Sequence, residues 1–151
     1  MATMTSTAMN QHRRAVPAMY VGLALTVATT IAPYVDRATT GVLASHIAAG
    51  WPAYSQARLD SAVTIWLVVF SVVGALGVAG WIGTIWAVES GKGWARWTAT
   101  TLFALGISIA LTLVLITEPT GQQGLPLVLA WIGVLPSLAG AVAVAKLWRS
   151  S

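Results

Sequence analysis

The chain has 151 residues, of which 57% are hydrophobic and 8% are charged, and its net charge is +4. Soluble domains usually carry about 25% charged residues, so this composition argues against a water-soluble globule. The absence of cysteine excludes disulfides and cysteine-ligated metal centres, and the scattered basic residues do not form the stripe that predicts nucleic-acid binding.

Four apolar segments follow a polar N-terminal stretch, residues 1–12, which is predicted to be a disordered tail. Apart from Lys146 at the end of the fourth, the segments contain no charged residue and no histidine. Each reaches the length of about 20 residues that a helix needs to cross a membrane. Residues 13–151 are therefore predicted to form one membrane domain, an all-α bundle of four transmembrane helices. The segments cover residues 15–35, 62–88, 97–117 and 124–146.

The first segment follows Arg13 and Arg14, a charge order shared by signal peptides and membrane helices. Its apolar stretch is longer than that of a usual signal peptide, which favours a helix that is retained in the protein. One face of this helix carries small and hydroxyl-bearing residues, which predicts close packing against a neighbour. These residues are Gly22, Thr26, Thr29, Thr30 and Pro33.

The loop between the first two helices, residues 36–61, is the only sizeable part outside the predicted membrane spans. Its stretch TTGVLASHIAAG, residues 39–50, places three apolar residues on one helical face, with Thr39 or Thr40 available as the N-cap. This pattern predicts a short amphipathic helix that lies on the outer membrane interface or caps the bundle. The apolar residues are Val42, Leu43 and Ile47.

The second helix, which is predicted to begin as early as Ser55, contains the glycine-rich stretch GALGVAGWIG, residues 74–83. Glycine is tolerated in a spanning helix because lipid does not compete for backbone hydrogen bonds, and small residues let neighbouring helices approach. The stretch therefore predicts a wide packing face on a central helix, and the fourth helix has a similar row. The predicted packing or partner positions are Gly74, Ala75, Gly77, Ala79, Gly80, Gly83, Gly133, Ser137 and Ala141.

Tryptophan is frequent, with eight residues, and most lie near predicted helix ends, where aromatic rings mark the membrane interface. Trp81 and Trp131 lie deeper, and packing within the bundle is favoured over a platform for a lipid or quinone. The predicted interface anchors, two of them basic, are Trp51, Trp66, Trp86, Lys92, Trp94, Arg96, Trp97 and Trp148.

The basic residues fall mainly on one side of the four predicted helices. Arg37 and Arg58 lie on the other side, where Asp36 and Asp60 offset them. The positive-inside rule therefore predicts a protein of the plasma membrane with both termini in the cytoplasm. The basic residues on the predicted cytoplasmic side are Arg13, Arg14, Lys92, Arg96, Lys146 and Arg149.

The turn GKGWARW, residues 91–97, lies between the second and third helices. It resembles a turn, G-K/R-x-W-A-R, of small uncharacterised four-helix membrane proteins from actinobacteria. The resemblance implies the four-helix architecture and a lineage, and it brings no functional residues with it.

The apolar segments carry no catalytic motif. No Asp, Glu or His lies at predicted membrane depth, where proton-coupled carriers need one, and the segment 91–93 lacks the rest of a phosphate-binding loop. We therefore expect no catalytic, cofactor or metal site. The sequence favours a non-catalytic accessory subunit of a larger membrane complex, of the respiratory or lipid-transport type, with membrane subunits and lipids as partners. A small oligomeric carrier or flippase-like transporter is the alternative, and self-association stays open.

Overall fold

A computed structural model describes residue 10 and residues 13–149. The predicted tail, residues 1–12, lies almost entirely outside the described residues. The described chain forms an all-α fold. In chain order the helices are α1 (Val16–Ala38), α2 (Val42–Gly50), α3 (Gln56–Glu89), α4 (Ala95–Leu115) and α5 (Leu127–Arg149).

All helices except α2 are long and apolar enough to cross a membrane, which confirms the predicted all-α bundle with four candidate spans. The helix α3 begins directly after Ser55, whose hydroxyl accepts a hydrogen bond from the amide of Arg58, as the early start predicted. The helix α5 begins at Leu127, later than predicted, because the residues before it are held in the turn after α4: the amide of Gly124 donates to the carbonyl of Ile116, and Thr117 pairs with Gln123. The carbonyl of Pro126 accepts a hydrogen bond from the amide of Ala130 at the start of the helix.

The most extensive contacts of α1 are with α5 on one side and α3 on the other. The helix α4 packs mainly on α5 and meets α3 only sparsely. The glycine-rich helix α3 does contact more than one neighbour, as predicted, but it is not the central helix, because α1 and α5 each pack extensively against two long helices and α3 does so against one. Gly74 and Gly77 of α3 receive threonine side chains of α1, which brings these two helices close together, whereas Gly80 is the one glycine of the stretch that faces α4.

Two hydrophobic clusters close the ends of the bundle. One joins the start of α1 and of α4 to the end of α3 and of α5, with Met19, Val88 and Leu147 at its centre. We call this the cationic end, because most basic residues lie there. The other cluster joins α2 to the start of α3 and of α5, with Leu43 and Leu125 at its centre, and we call it the cap end.

The helix α2 lies across the cap end with Leu43 and Ile47 buried, which confirms the predicted short helix and shows that it caps the bundle. The assignment of Val42 to the buried face is wrong, because its side chain is exposed. Its first residues lie beside the last turn of α1. The N-cap position is occupied by Gly41, so neither Thr39 nor Thr40 fills it.

Asp36, in the last turn of α1, supplies the cap that Gly41 lacks. Its carboxylate accepts hydrogen bonds from the amides of Val42, at 2.8 Å, and Leu43, at 2.9 Å. Thr40 donates its hydroxyl to the same carboxylate. Since the first N–H groups of a helix have no partner within the helix, one buried side chain fixes the angle between α1 and α2.

Candidate functional site

A cavity of about 490 Å³ lies between the two end clusters and is bounded by all four long helices. It faces sideways between α3 and α4, whose contacts are sparse, and its rim includes Leu76, which is 67% exposed, and Leu105, which is 56% exposed. On α1 its lining extends from Met19 to Pro33, a rise of about 21 Å at 1.5 Å per residue. We call this space the lateral cleft.

The lining of the lateral cleft is mostly apolar, and the part of the chain that the structure describes brings no charged or histidine side chain to it. The hydroxyls of Thr26, Thr30 and Thr84 donate to carbonyl oxygens four residues earlier in their own helices, at distances of 2.7–2.8 Å. Their protons are therefore already used inside the protein. These threonines contribute shape and acceptor oxygens to the cleft, but no free donor.

Ser137 of α5 differs from the threonines. Its side chain lines the lateral cleft, and its hydroxyl has no hydrogen-bond partner among the described residues. The preceding residue, Pro136, has no N–H, so the carbonyl of Ile132 lacks its helical donor. The middle of α5 therefore brings an unpaired hydroxyl and an under-satisfied carbonyl to the wall of the cleft.

Trp81 forms part of the opposite wall. Its indole N–H donates to the hydroxyl of Thr26 at 2.9 Å, and its ring lies against Gly22, where a larger residue would not fit. The structure thus supports the packing interpretation of this deep tryptophan, because a buried indole N–H needs a partner. Trp131, by contrast, is 60% exposed on the outside of α5.

The predicted packing face of α3 is divided between three surroundings. Gly74 and Gly77 face α1, and a Cβ at Gly74 would lie 2.8 Å from the Cβ of Thr30. Gly80 faces α4 across the mouth of the lateral cleft. The remaining members are exposed: Ala75, Ala79 and Gly83.

The row on α5 is divided as well. Gly133 and Ser137 line the lateral cleft, whereas Ala141 is exposed. A Cβ at Gly133 would meet no atom within 4 Å, so the cleft is open beside it. These residues form a wall of the cavity rather than a contact with another helix of the chain.

Sequence reasoning missed the full buried face of α3. Its members follow one another at alternating spacings of four and three residues, the spacing of a and d positions in packed helices. The row was hidden because it mixes large, small, polar and aromatic side chains, which hydropathy does not group together. Its members are Val63, Leu67, Phe70, Gly74, Gly77, Trp81, Thr84 and Val88.

An aromatic cluster joins α4 to α5 at the cationic end. Trp148 meets Trp97 edge to face at 5.0 Å, and the guanidinium of Arg96 lies over Trp148 at 5.1 Å. Lys92 lies 6.0 Å from the centre of the Trp86 ring. Such cation–π contacts keep basic groups beside aromatic rings at the level where both anchor to lipid headgroups. The exposed tryptophans at this end are Trp86, Trp94, Trp97 and Trp148.

The aromatic residues of the cap end are tied into the fold. Trp51 stacks on Tyr54 at 5.2 Å, and its indole N–H donates to the carboxylate of Glu118 at 3.2 Å. Trp66 lies tilted against Phe70 with ring centres 6.1 Å apart. Trp51 therefore connects the end of α2 to the loop between α4 and α5, a role beyond that of the predicted interface anchor.

The charged residues divide sharply between the two ends. The cationic end holds six basic residues and one acidic residue, Glu89, so its formal charge is +5. The cap end holds two basic and three acidic residues, so its formal charge is −1. Such a difference in charge between the two ends is expected for a helical protein that has a fixed orientation in a membrane.

No family model, curated protein or solved structure matches the chain. Among the described residues no three His, Asp or Glu side chains come together as a candidate metal site. The fold and the cleft therefore define the class of protein: an all-α bundle with four candidate spans, the architecture of a multi-pass membrane protein. The resemblance of residues 91–97 to actinobacterial membrane proteins stays a prediction.

Proposed function

We propose that the protein is a non-catalytic accessory subunit of a larger membrane complex, of the respiratory or lipid-transport type. The observation that supports this function is the uncovered part of the small-residue face of α3. Ala75, Ala79 and Gly83 are exposed and follow one another at a spacing of four residues. In a membrane, residues of this size and spacing let a second helix approach closely, a property that contact with lipid does not require.

The cap end offers a second surface for a partner. The helix α2 is held to the loop between α4 and α5, since the Nε2 atom of His46 lies 2.6 Å from the carbonyl oxygen of Gln123. Loops and short helices fixed on a rigid scaffold commonly carry binding functions.

A leucine at Gly83 tests the proposed partner surface. A Cβ at this position meets no atom of the described residues within 4 Å, so we expect the protein itself to tolerate the larger side chain. A partner helix packed on this face is pushed away, and overpacking of about 1–3 kcal/mol weakens the complex by about 5-fold to 140-fold. The measurement is native mass of the tagged protein after mild-detergent purification, with identification of every retained subunit.

The matched control for this experiment is Gly133→Leu, because position 133 is equally open but faces the lateral cleft. We expect Gly133→Leu to keep the complex and Gly83→Leu to lose it. A monomer or a small homo-oligomer of the unmodified protein contradicts the accessory-subunit function, and the homo-oligomer favours the second candidate.

The second candidate function is a small oligomeric carrier of flippase-like type, and the lateral cleft favours it. A cleft without charge or free threonine donors suits an apolar or amphiphilic cargo and does not suit ions. Such a carrier keeps its transport activity when it is purified alone into liposomes, whereas a subunit does not.

The proposed location is the plasma membrane with the cationic end in the cytoplasm. The charge of +5 at that end supports this orientation. Because the chain has no cysteine, single cysteines at Ser90 and Thr120, which are exposed at opposite ends, can be labelled separately in intact cells. A membrane-impermeant maleimide is expected to label Thr120→Cys and to label Ser90→Cys only after lysis. The reverse pattern contradicts the orientation.

A further inference from the structure

We infer that the lateral cleft is a binding site for an uncharged, single-chain lipid whose head group carries a hydroxyl. The inference concerns the inner surfaces of the helices. It is independent of the partner surface proposed for the outer side of α3.

The size of the lateral cleft suits a small molecule. The cleft offers about 490 Å³, which lies within the range of small-molecule sites, about 300–1,000 Å³. Its lining extends for about 21 Å along α1, and packed clusters close both of its ends. These dimensions fit one hydrocarbon chain that enters sideways between α3 and α4.

The electrostatics of the lateral cleft exclude a charged occupant. Among the residues that the structure describes, no acidic, basic or histidine side chain lines it. A carboxylate or ammonium group placed at this depth would lose its hydration without gaining an ion pair, which costs several kcal/mol. An uncharged lipid avoids this cost.

The wall of α5 selects a hydroxyl. Ser137 has a free donor, and Pro136 leaves the carbonyl of Ile132 without its helical hydrogen bond. On α1, Pro33 deprives the carbonyl of Thr29 of its donor in the same way, and both residues line the cleft. A hydroxyl both donates and accepts, so it can bind a freed carbonyl and the Ser137 side chain together. Polar groups that stay unpaired in a membrane interior are costly, so the lateral cleft is expected to prefer a lipid with a hydroxyl over one without.

The test uses a monoacylglycerol that carries a photoreactive diazirine in its chain, added to phosphatidylcholine vesicles that contain the full chain. We expect saturable labelling of peptides from α4 and α5 that line the cleft. An excess of unmodified monoolein is expected to abolish the labelling. Oleate has the same chain but a charged head group, and we expect it to compete at least 10-fold less well than monoolein. Methyl oleate has no hydroxyl to donate, and we expect the same weaker competition from it.

Two open glycines provide matched variants for this test. Gly133→Leu places its side chain in the lateral cleft and is expected to reduce labelling about 10-fold, whereas Gly83→Leu on the outer face leaves it unchanged. Ser137→Ala removes only the hydroxyl and is expected to reduce labelling about three- to 10-fold. Equal labelling of the unmodified protein and Gly133→Leu, or equal competition by monoolein and oleate, overturns the inference. The two proposals can fail separately. Retention of the complex in Gly83→Leu would count against the partner surface alone, and unchanged labelling in Gly133→Leu would count against the lipid site alone.

Discussion

Replacement of Gly74 by alanine is expected to lower the free energy of unfolding by about 2–3 kcal/mol, at the upper end of the usual cost of overpacking. The added Cβ would lie 2.8 Å from the Cβ of Thr30 and closer still to the hydroxyl and methyl groups of that side chain. Thr30 cannot turn away cheaply, because its hydroxyl donates to the carbonyl of Thr26 at 2.7 Å and β-branched side chains have few rotamers in a helix. The strain is relieved only when α1 and α3 separate, which also pulls Trp81 from Thr26.

The measurement is reversible unfolding in mixed detergent micelles, followed by circular dichroism. Gly83→Ala is the matched control, since it makes the same change in the same helix where no atom lies within 4 Å, and its effect is expected to stay within about 0.5 kcal/mol. Thr30→Ala in the Gly74→Ala background removes the two nearest atoms and is expected to restore more than half of the lost stability. Equal effects of the two glycine substitutions would show that close approach at Gly74 does not hold α1 to α3.

The four long helices and the small helix α2 could be predicted because their signals are local. Length and hydropathy define each span, and Leu43 and Ile47 fall on one face of a short periodic segment. The helix partners could not be predicted in the same way. Glycine carries no side chain whose hydropathy marks a direction, so Gly74 and Gly83 look alike in the sequence although one is buried and the other exposed.

The lateral cleft illustrates a second limit. It exists because α3 and α4 stay apart over much of their length, which is a property of how four helices pack together and not of any one segment. Its chemical features were nevertheless visible, since Pro136 and Ser137 adjoin in a predicted span. A proline in the interior of a helix leaves the carbonyl four residues earlier without its usual donor, so this carbonyl could be identified from the sequence.

Asp36 illustrates the third limit of prediction from the sequence. Its replacement by alanine is the second substitution for which we expect a large effect. The sequence placed this residue among charges that flank the membrane, whereas the structure buries it between α1 and α2. Alanine leaves the amides of Val42 and Leu43 without their acceptor. Loss of a helix cap and of charge-assisted hydrogen bonds together costs about 2–3 kcal/mol.

The change is expected to act first on α2, because that helix has only nine residues and depends on its cap. Amide hydrogen exchange over Val42–Gly50 should accelerate about 30-fold or more in Asp36→Ala, while the centres of α1 and α5 stay protected. Asp36→Asn keeps one acceptor oxygen, so its exchange rate over this helix should lie between those of the unmodified protein and Asp36→Ala. Asp60→Ala removes a carboxylate of the same end that accepts only one exposed hydrogen bond, from Gln56, and should leave exchange in α2 unchanged. If exchange over α2 is the same in Asp36→Ala and Asp60→Ala, then the burial of Leu43 and Ile47 alone holds α2. The cap from Asp36 then does not set the angle between α1 and α2.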